Sequence, residues 1–189
     1  MKSIIRNPRI AALVGMLIFS NAFAQSGVEI SKQEIPAEYQ FKARIGDTIP
    51  EFTMTLTNGK RVSSSEWRGK VVMLQFTASW CGVCRKEIPF IHRDIWTKHK
   101  RNSDFLLFGI DRDEPLEKVK NYQKEMDISY PLAIDPNAEV FALFADKRSG
   151  VTRNVIIDKQ GKIVFMTRLF KENEFKEMVR VIGLLLKHQ

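Results

Sequence analysis

The sequence predicts an α/β fold in which helices flank both faces of a mixed central β-sheet. Three observations predict it. The continuous apolar runs KVVMLQFT (70–77) and FLLFGID (105–111) are what strands buried on both faces require. Segments of helical spacing alternate with them, as βαβ units with a parallel core demand. A last pair of strands around Lys159-Gln160-Gly161 adds an antiparallel edge.

The elements follow in chain order. FTMTLT (52–57) has strand composition, and Asn58-Gly59 after it is a strong hairpin signal. KVVMLQFT is the first buried strand. Residues 82 to about 99 read as a helix that Pro89 should kink. FLLFGID is the second buried strand. EPLEKVKNYQKEM (114–126) puts Leu116, Val119, Tyr122 and Met126 on one helical face, with Pro115 in the first turn. YPLAID (130–135) is a short strand and residues 137–145 a short helix. NVIIDKQGKIVFMTR (154–168) is two strands around a turn, and residues 171–187 are a closing amphipathic helix. Together they make one domain over residues 45–189.

Apolar residues make up 44% of the 189 and charged residues 28%, the composition of an ordinary globular protein. A chain this long buries a core without staples, so its two cysteines are not needed to hold the fold. The formal charge is +8, and Lys2, Arg6 and Arg9 supply three of those charges. The remaining basic residues are spread among acids in no long run. That pattern fits a solvated basic protein better than a binder of nucleic acid or anionic membrane.

The N-terminus reads as a secretory signal. Lys2, Arg6 and Arg9 form its basic region, an apolar core runs from Ile10 to Phe19, and Ala22-Phe23-Ala24 gives a cleavage pattern. Residues 1–24 are therefore expected to be a signal peptide, and the polar residues 25–44 a leader with room for one short strand. The alternative is an uncleaved anchor. The mature protein is expected to be soluble and in a compartment where disulfides persist, with the bacterial periplasm the better fit.

Both cysteines fall in FTASWCGVCRKEIP (76–89), straight after a buried strand. Two cysteines placed at random would stand three apart roughly once in a hundred times. A structural bridge over so short a loop would stabilise little, because the effect grows with loop length. At a helix N-terminus, unpaired N–H groups and the dipole favour an anion, which lowers the Cys81 pKa below the free value of about 8.5. Cys84, one turn in, should be more buried. Cys81 then attacks a partner's disulfide and Cys84 resolves the mixed disulfide. Trp80 offers a flat apolar contact beside the pair. A zinc site is the rival, but it wants about four ligands. Only His92, His99 and His188 are available to join the pair, so no metal is expected.

FTASWCGVCRKEIP resembles the active-site strand and helix of exported bacterial thiol–disulfide oxidoreductases. These belong to the thioredoxin-like family, in the branch related to cytochrome c maturation proteins. The likeness runs over about residues 45–189. It implies a thioredoxin-like fold with a redox-active Cys81–Cys84 pair and no cofactor. It implies client proteins with disulfides or thiols, a membrane or soluble thiol reductant, no nucleic acid, and a monomer. Glu87 matches a glutamate that some exported members keep beneath the disulfide, where it exchanges protons with the resolving thiol. The alternative is an exposed helix glutamate paired with neighbouring basic residues. Gln75 stands where cytoplasmic thioredoxins carry a buried aspartate.

One departure from the family falls where its cis-proline usually faces the disulfide. Here Thr152 follows Gly150-Val151, and Arg153 comes next. A cis bond before a residue other than proline costs about 2.5–4 kcal/mol, so Val151–Thr152 is expected to be trans. The Thr-Arg pair is similar to that of peroxiredoxins, where an arginine supports a peroxide-reacting thiolate. Arg153 therefore either lowers the Cys81 pKa or binds an anionic substrate group, or it is a surface strand residue. Three functions remain open: a thiol–disulfide oxidoreductase working in the reducing direction, a thiol peroxidase using Cys81 with Arg153, and a non-catalytic binding module.

Overall fold

Seven residues without a single exposed side chain, Val71–Thr77, form the central strand β3. The computed structural model describes residues 33–187. The expected signal peptide 1–24 and the first part of the leader, residues 25–32, lie outside them. In order the elements are β1 (Thr53–Leu56), β2 (Arg61–Ser63), β3, α1 (Gly82–Ile91), α2 (Thr97–His99), β4 (Phe105–Arg112), α3 (Leu116–Glu125), β5 (Leu132–Asp135), α4 (Glu139–Phe144), β6 (Arg153–Ile157), β7 (Ile163–Arg168) and α5 (Glu172–Lys187). The sheet order is β2-β1-β5-β4-β3-β6-β7. β3 pairs parallel to β4, and β4 to β5, while β6 and β7 add antiparallel at one side and β1 and β2 at the other.

The period-two alternation of the strands divides the core in two. Val71, Met73, Leu107 and Ile156 pack on one face against Ile88 and Ile91 of α1, Val119 and Tyr122 of α3, and Met178 and Val181 of α5. Val72, Leu74, Phe76, Ile110 and Val155 pack on the other against Phe141 and Phe144 of α4. Phe41 and Ile45, which lead into the domain, join that second layer.

The local signals behave as their chemistry requires. Asn58-Gly59 makes the β1–β2 turn with Gly59 at φ 85°, a conformation that favours glycine. Pro89 lacks the N–H that an α-helix interior uses, and the helix widens into a π turn over His92–Trp96 before α2 closes it. Pro115 caps α3 rather than entering its first turn. The described end of the leader forms a short 3-10 turn, Ala37–Tyr39, and its strand-like feature is the Phe41–Ala145 bridge. Before it, the Gln33 carboxamide bonds both the N–H and the C=O of Met166 on the outer side of β7.

Candidate active site

The chain needs only Ala78 to Cys81 to pass from β3 to α1. Cys81 caps the helix in an extended conformation, and its Sγ accepts from the Cys84 N–H at 3.2 Å. Cys84 lies one turn in and is wholly buried, whereas Cys81 keeps 7% of its surface. The two are joined as a disulfide, with Cα atoms 5.3 Å apart. Once the bond opens, the free N–H groups at this helix end favour a thiolate on Cys81. Trp80 stands 57% exposed beside them, so its indole faces whatever approaches the pair.

Two ionic groups fasten the loop. Glu114, itself buried, accepts from the N–H and the hydroxyl of Ser79 and pairs with Lys118 at 2.6 Å. Arg85 donates Nε–H to the Ser79 carbonyl at 2.8 Å and forks onto Glu125.

Thr152 touches both sulfurs. Its Oγ1 lies 3.2 Å from Cys81 Sγ and 3.3 Å from Cys84 Sγ. The peptide before it is trans, as the absence of proline requires.

Glu87 is 1% exposed, which overturns the exposed alternative. It follows Cys84 by three residues and so shares its helix face. Asn154 Nδ2 donates to Glu87 Oε1 at 2.7 Å and to Thr167 Oγ1 at 2.8 Å. Glu87 Oε2 is buried without a partner among the described residues. Desolvation, countered only in part by the Asn154 bond, pushes the Glu87 pKa up to about 8. Gln75, also buried, accepts the Tyr130 hydroxyl at 2.6 Å.

Arg153 needs correction. It is no surface residue: it is fully buried, and its guanidinium donates to Tyr39 O and Ser149 Oγ, with no bond to Cys81 or Cys84. The alternation of β6 explains this. Asn154 points to the α1 face, so Arg153 points to the α4 face, over the rings of Phe41 and Phe141.

Sequence reasoning missed three polar residues near the pair. They are Asn154, Glu114 and Asp111. Asp111 is unexposed, with both oxygens unpartnered among the described residues. Burial, followed by the nearby Glu114 charge, pushes its pKa up to about 8. Asn154 opens the apolar run NVII and Asp111 closes FLLFGID, which was the available signal, while Glu114 stands among other charges and carried none. Asn154 stands in register with Gln75 across two central strands. Among the described residues no three metal-ligating side chains cluster, and His92 bonds Ser129 while His99 packs on Phe105.

The site thus combines an N-terminal thiol, a shielded second thiol and a buried carboxyl, the parts that disulfide exchange uses. Residues 44–182 match the family model described as Redoxin. A "Thiol-disulfide oxidoreductase ResA" of Bacillus cereus is 32% identical over 123 residues, 65% of this chain and 69% of that one. The protein of the same name from Bacillus thuringiensis subsp. konkukian is 33% identical over 126 residues, with the same coverage of 65% and 69%. Among solved structures, a candidate protein disulfide isomerase from Bacteroides thetaiotaomicron is 59% identical. It aligns with a TM-score of 0.77 over 79% of this chain and 94% of that one. A thiol:disulfide interchange protein of the thioredoxin family from Chlorobium tepidum TLS is 27% identical, with a TM-score of 0.62 over 77% and 99% of the two chains.

Proposed function

Because this chain belongs to the Redoxin family and is a thiol–disulfide oxidoreductase of thioredoxin-like fold, we propose that it reduces client disulfides outside the cytoplasm through the Cys81–Cys84 couple. In this reading the Cys81 thiolate attacks a client disulfide, and one client sulfur leaves and takes a proton. Glu87 in its ionised form takes the Cys84 proton, Cys84 attacks the Cys81 sulfur, the bond from Cys81 to the client breaks, and the second client sulfur leaves and takes up a proton. Two electrons move to the client, and a membrane or soluble thiol reductant returns them.

The observation that carries the reading is the buried Glu87 carboxyl one helical turn beyond the shielded Cys84. A carboxyl of pKa about 8 is close to a free thiol at about 8.5, so a proton passes between them with little free-energy change. Export rests on the basic and apolar N-terminal pattern and the Ala22-Phe23-Ala24 site. Among the described residues no helix is long and apolar enough to cross a membrane. The peroxidase alternative asked Arg153 to serve Cys81, and the bonds of Arg153 run elsewhere.

The test is the reduction potential of Cys81–Cys84 in a dithiothreitol or glutathione buffer. A value near about −270 mV supports a reductase, and one near about −120 mV makes it an oxidant and overturns the direction. N-terminal sequencing of the protein from a cell envelope fraction tests cleavage after Ala24.

A further inference from the structure

Three guanidinium groups gather on the dipeptide Ser149–Gly150, just before the Thr152 that touches both sulfurs. Arg153 Nη2 donates to Ser149 Oγ at 2.7 Å, and Arg112 Nη1 to the Ser149 carbonyl at 3.2 Å. Arg168 Nη2 lies so close over Gly150 that a side chain there would displace it. Strand register brings them together. Arg153 pairs with Phe76 on one side and Arg168 on the other, and Phe76 pairs with Ile110, two residues before Arg112. All three therefore share the α4 face at the disulfide end of the sheet.

Their charge is not balanced. Arg112 has Asp113 at 2.6 Å, but among the described residues neither Arg153 nor Arg168 has a carboxylate partner. Arg153 Nε and Arg168 Nη1 are buried donors with no acceptor among those residues. Burial, with the like charges of Arg168 and Arg112, pulls the Arg153 pKa down to about 9. Phe141 and Phe41 offer ring faces at 4.4 Å from Arg112 and 4.5 Å from Arg153, which eases desolvation but leaves those in-plane donors unused. Buried charges are ordinarily paired.

We propose that Arg112, Arg153 and Arg168 form an oxyanion-binding site at Ser149–Gly150, taking a carboxylate, sulfate or phosphate group beside the redox pair. Planar guanidinium forks match such groups. Gly150 is exposed and Arg168 partly so, which gives the approach from solvent. The group is either a free inorganic ion or a client's carboxylate. The second source rests on the oxidoreductase reading, and the first does not.

Calorimetric titration of the oxidised full chain tests the site. The probes are sodium sulfate against sodium chloride at matched ionic strength, and a short peptide with a free C-terminal carboxylate against its amide. Saturable sulfate binding, weakened about tenfold or more in Arg168→Gln and unchanged in the distant Arg101→Gln, is the expected result. Preference for the acid peptide over its amide assigns the site to clients, and equal treatment of the two assigns it to free ions. Absence of saturable binding by either probe, or binding retained in both Arg168→Gln and Arg112→Gln, overturns the site. That failure, with the Cys81–Cys84 potential unaltered, leaves the oxidoreductase reading standing.

Discussion

Asn154 donates its side-chain amide to Glu87 at 2.7 Å across 67 residues of sequence, from β6 to α1. The bond fixes a carboxyl whose other oxygen is buried without a partner among the described residues. It ties the strand that follows Thr152 to the helix that carries both cysteines, so proton uptake and sulfur geometry share one support.

The Glu87 pKa moves from 4.5 to about 8 in the folded state. Between those values the native protein keeps a proton that the unfolded chain releases. This contribution to stability is full below about pH 4.5 and is lost as pH rises through about 8. Glu87→Gln keeps an acceptor for Asn154 and removes the titration. Its denaturant stability should gain on the wild type by a few kcal/mol between about pH 5 and 8. Asp111 acts in the same window, so the difference between the two proteins is the readout. Parallel profiles would mean that Glu87 ionises as an ordinary carboxyl.

Cys84→Ser should trap client proteins. With no resolving thiol, Cys81 stays bound to its target, and a mixed disulfide appears on non-reducing gels. Cys81→Ser should form none. Equal trapping by both variants would contradict the assignment of Cys81 as the attacking thiol.

Thr152→Val removes the hydroxyl beside both sulfurs and nearly preserves shape. If that hydroxyl donates to the Cys81 thiolate, the reduced form loses about 1.5–3 kcal/mol. The couple should then become more reducing by about 30–60 mV, and the Cys81 pKa should rise. Equilibration with dithiothreitol and titration of thiolate absorbance measure both. An unchanged potential would show that the contact is steric only.

Asp135→Ala should destabilise the fold without touching the redox couple. The Asp135 carboxylate accepts from the N–H groups of Glu139, Val140 and Phe141 at 2.7, 3.2 and 2.8 Å, which caps α4. Losing such a cap costs about 1–3 kcal/mol, read as a lower denaturation midpoint. A midpoint within error of the wild type would mean that water replaces the carboxylate.

The strand and helix order was legible because apolar periodicity carries it. KVVMLQFT and FLLFGID could be placed from composition alone, and the cysteine pair followed from its position after the first of them. Side-chain pairing was harder. Asn154 and Arg153 are neighbours in sequence, and only the phase of β6 decides that one meets Glu87 while the other meets Phe141. That phase depends on the β3 register, which the following run Val155-Ile156-Ile157, apolar on both faces, does not reveal. Glu114 and Asp111 sit where β4 gives way to a loop, in a stretch that reads as ordinary solvated charge. The burial of Glu114 comes with the Ser79 loop folding onto it, a contact between segments 35 residues apart, whereas Asp111 is buried at the end of β4 between Thr77 of β3 and Ile134 of β5.

The Gln33 carboxamide has a bearing on how the molecule behaves among its own copies. An open strand edge is a template on which a second chain can hydrogen-bond and start an aggregate. By occupying the outward N–H and C=O of Met166, the Gln33 amide acts as a one-residue dummy strand on β7, while at the far edge β2 offers only three residues. Both edges of the described sheet thus leave a second copy of the chain few free backbone groups to pair with.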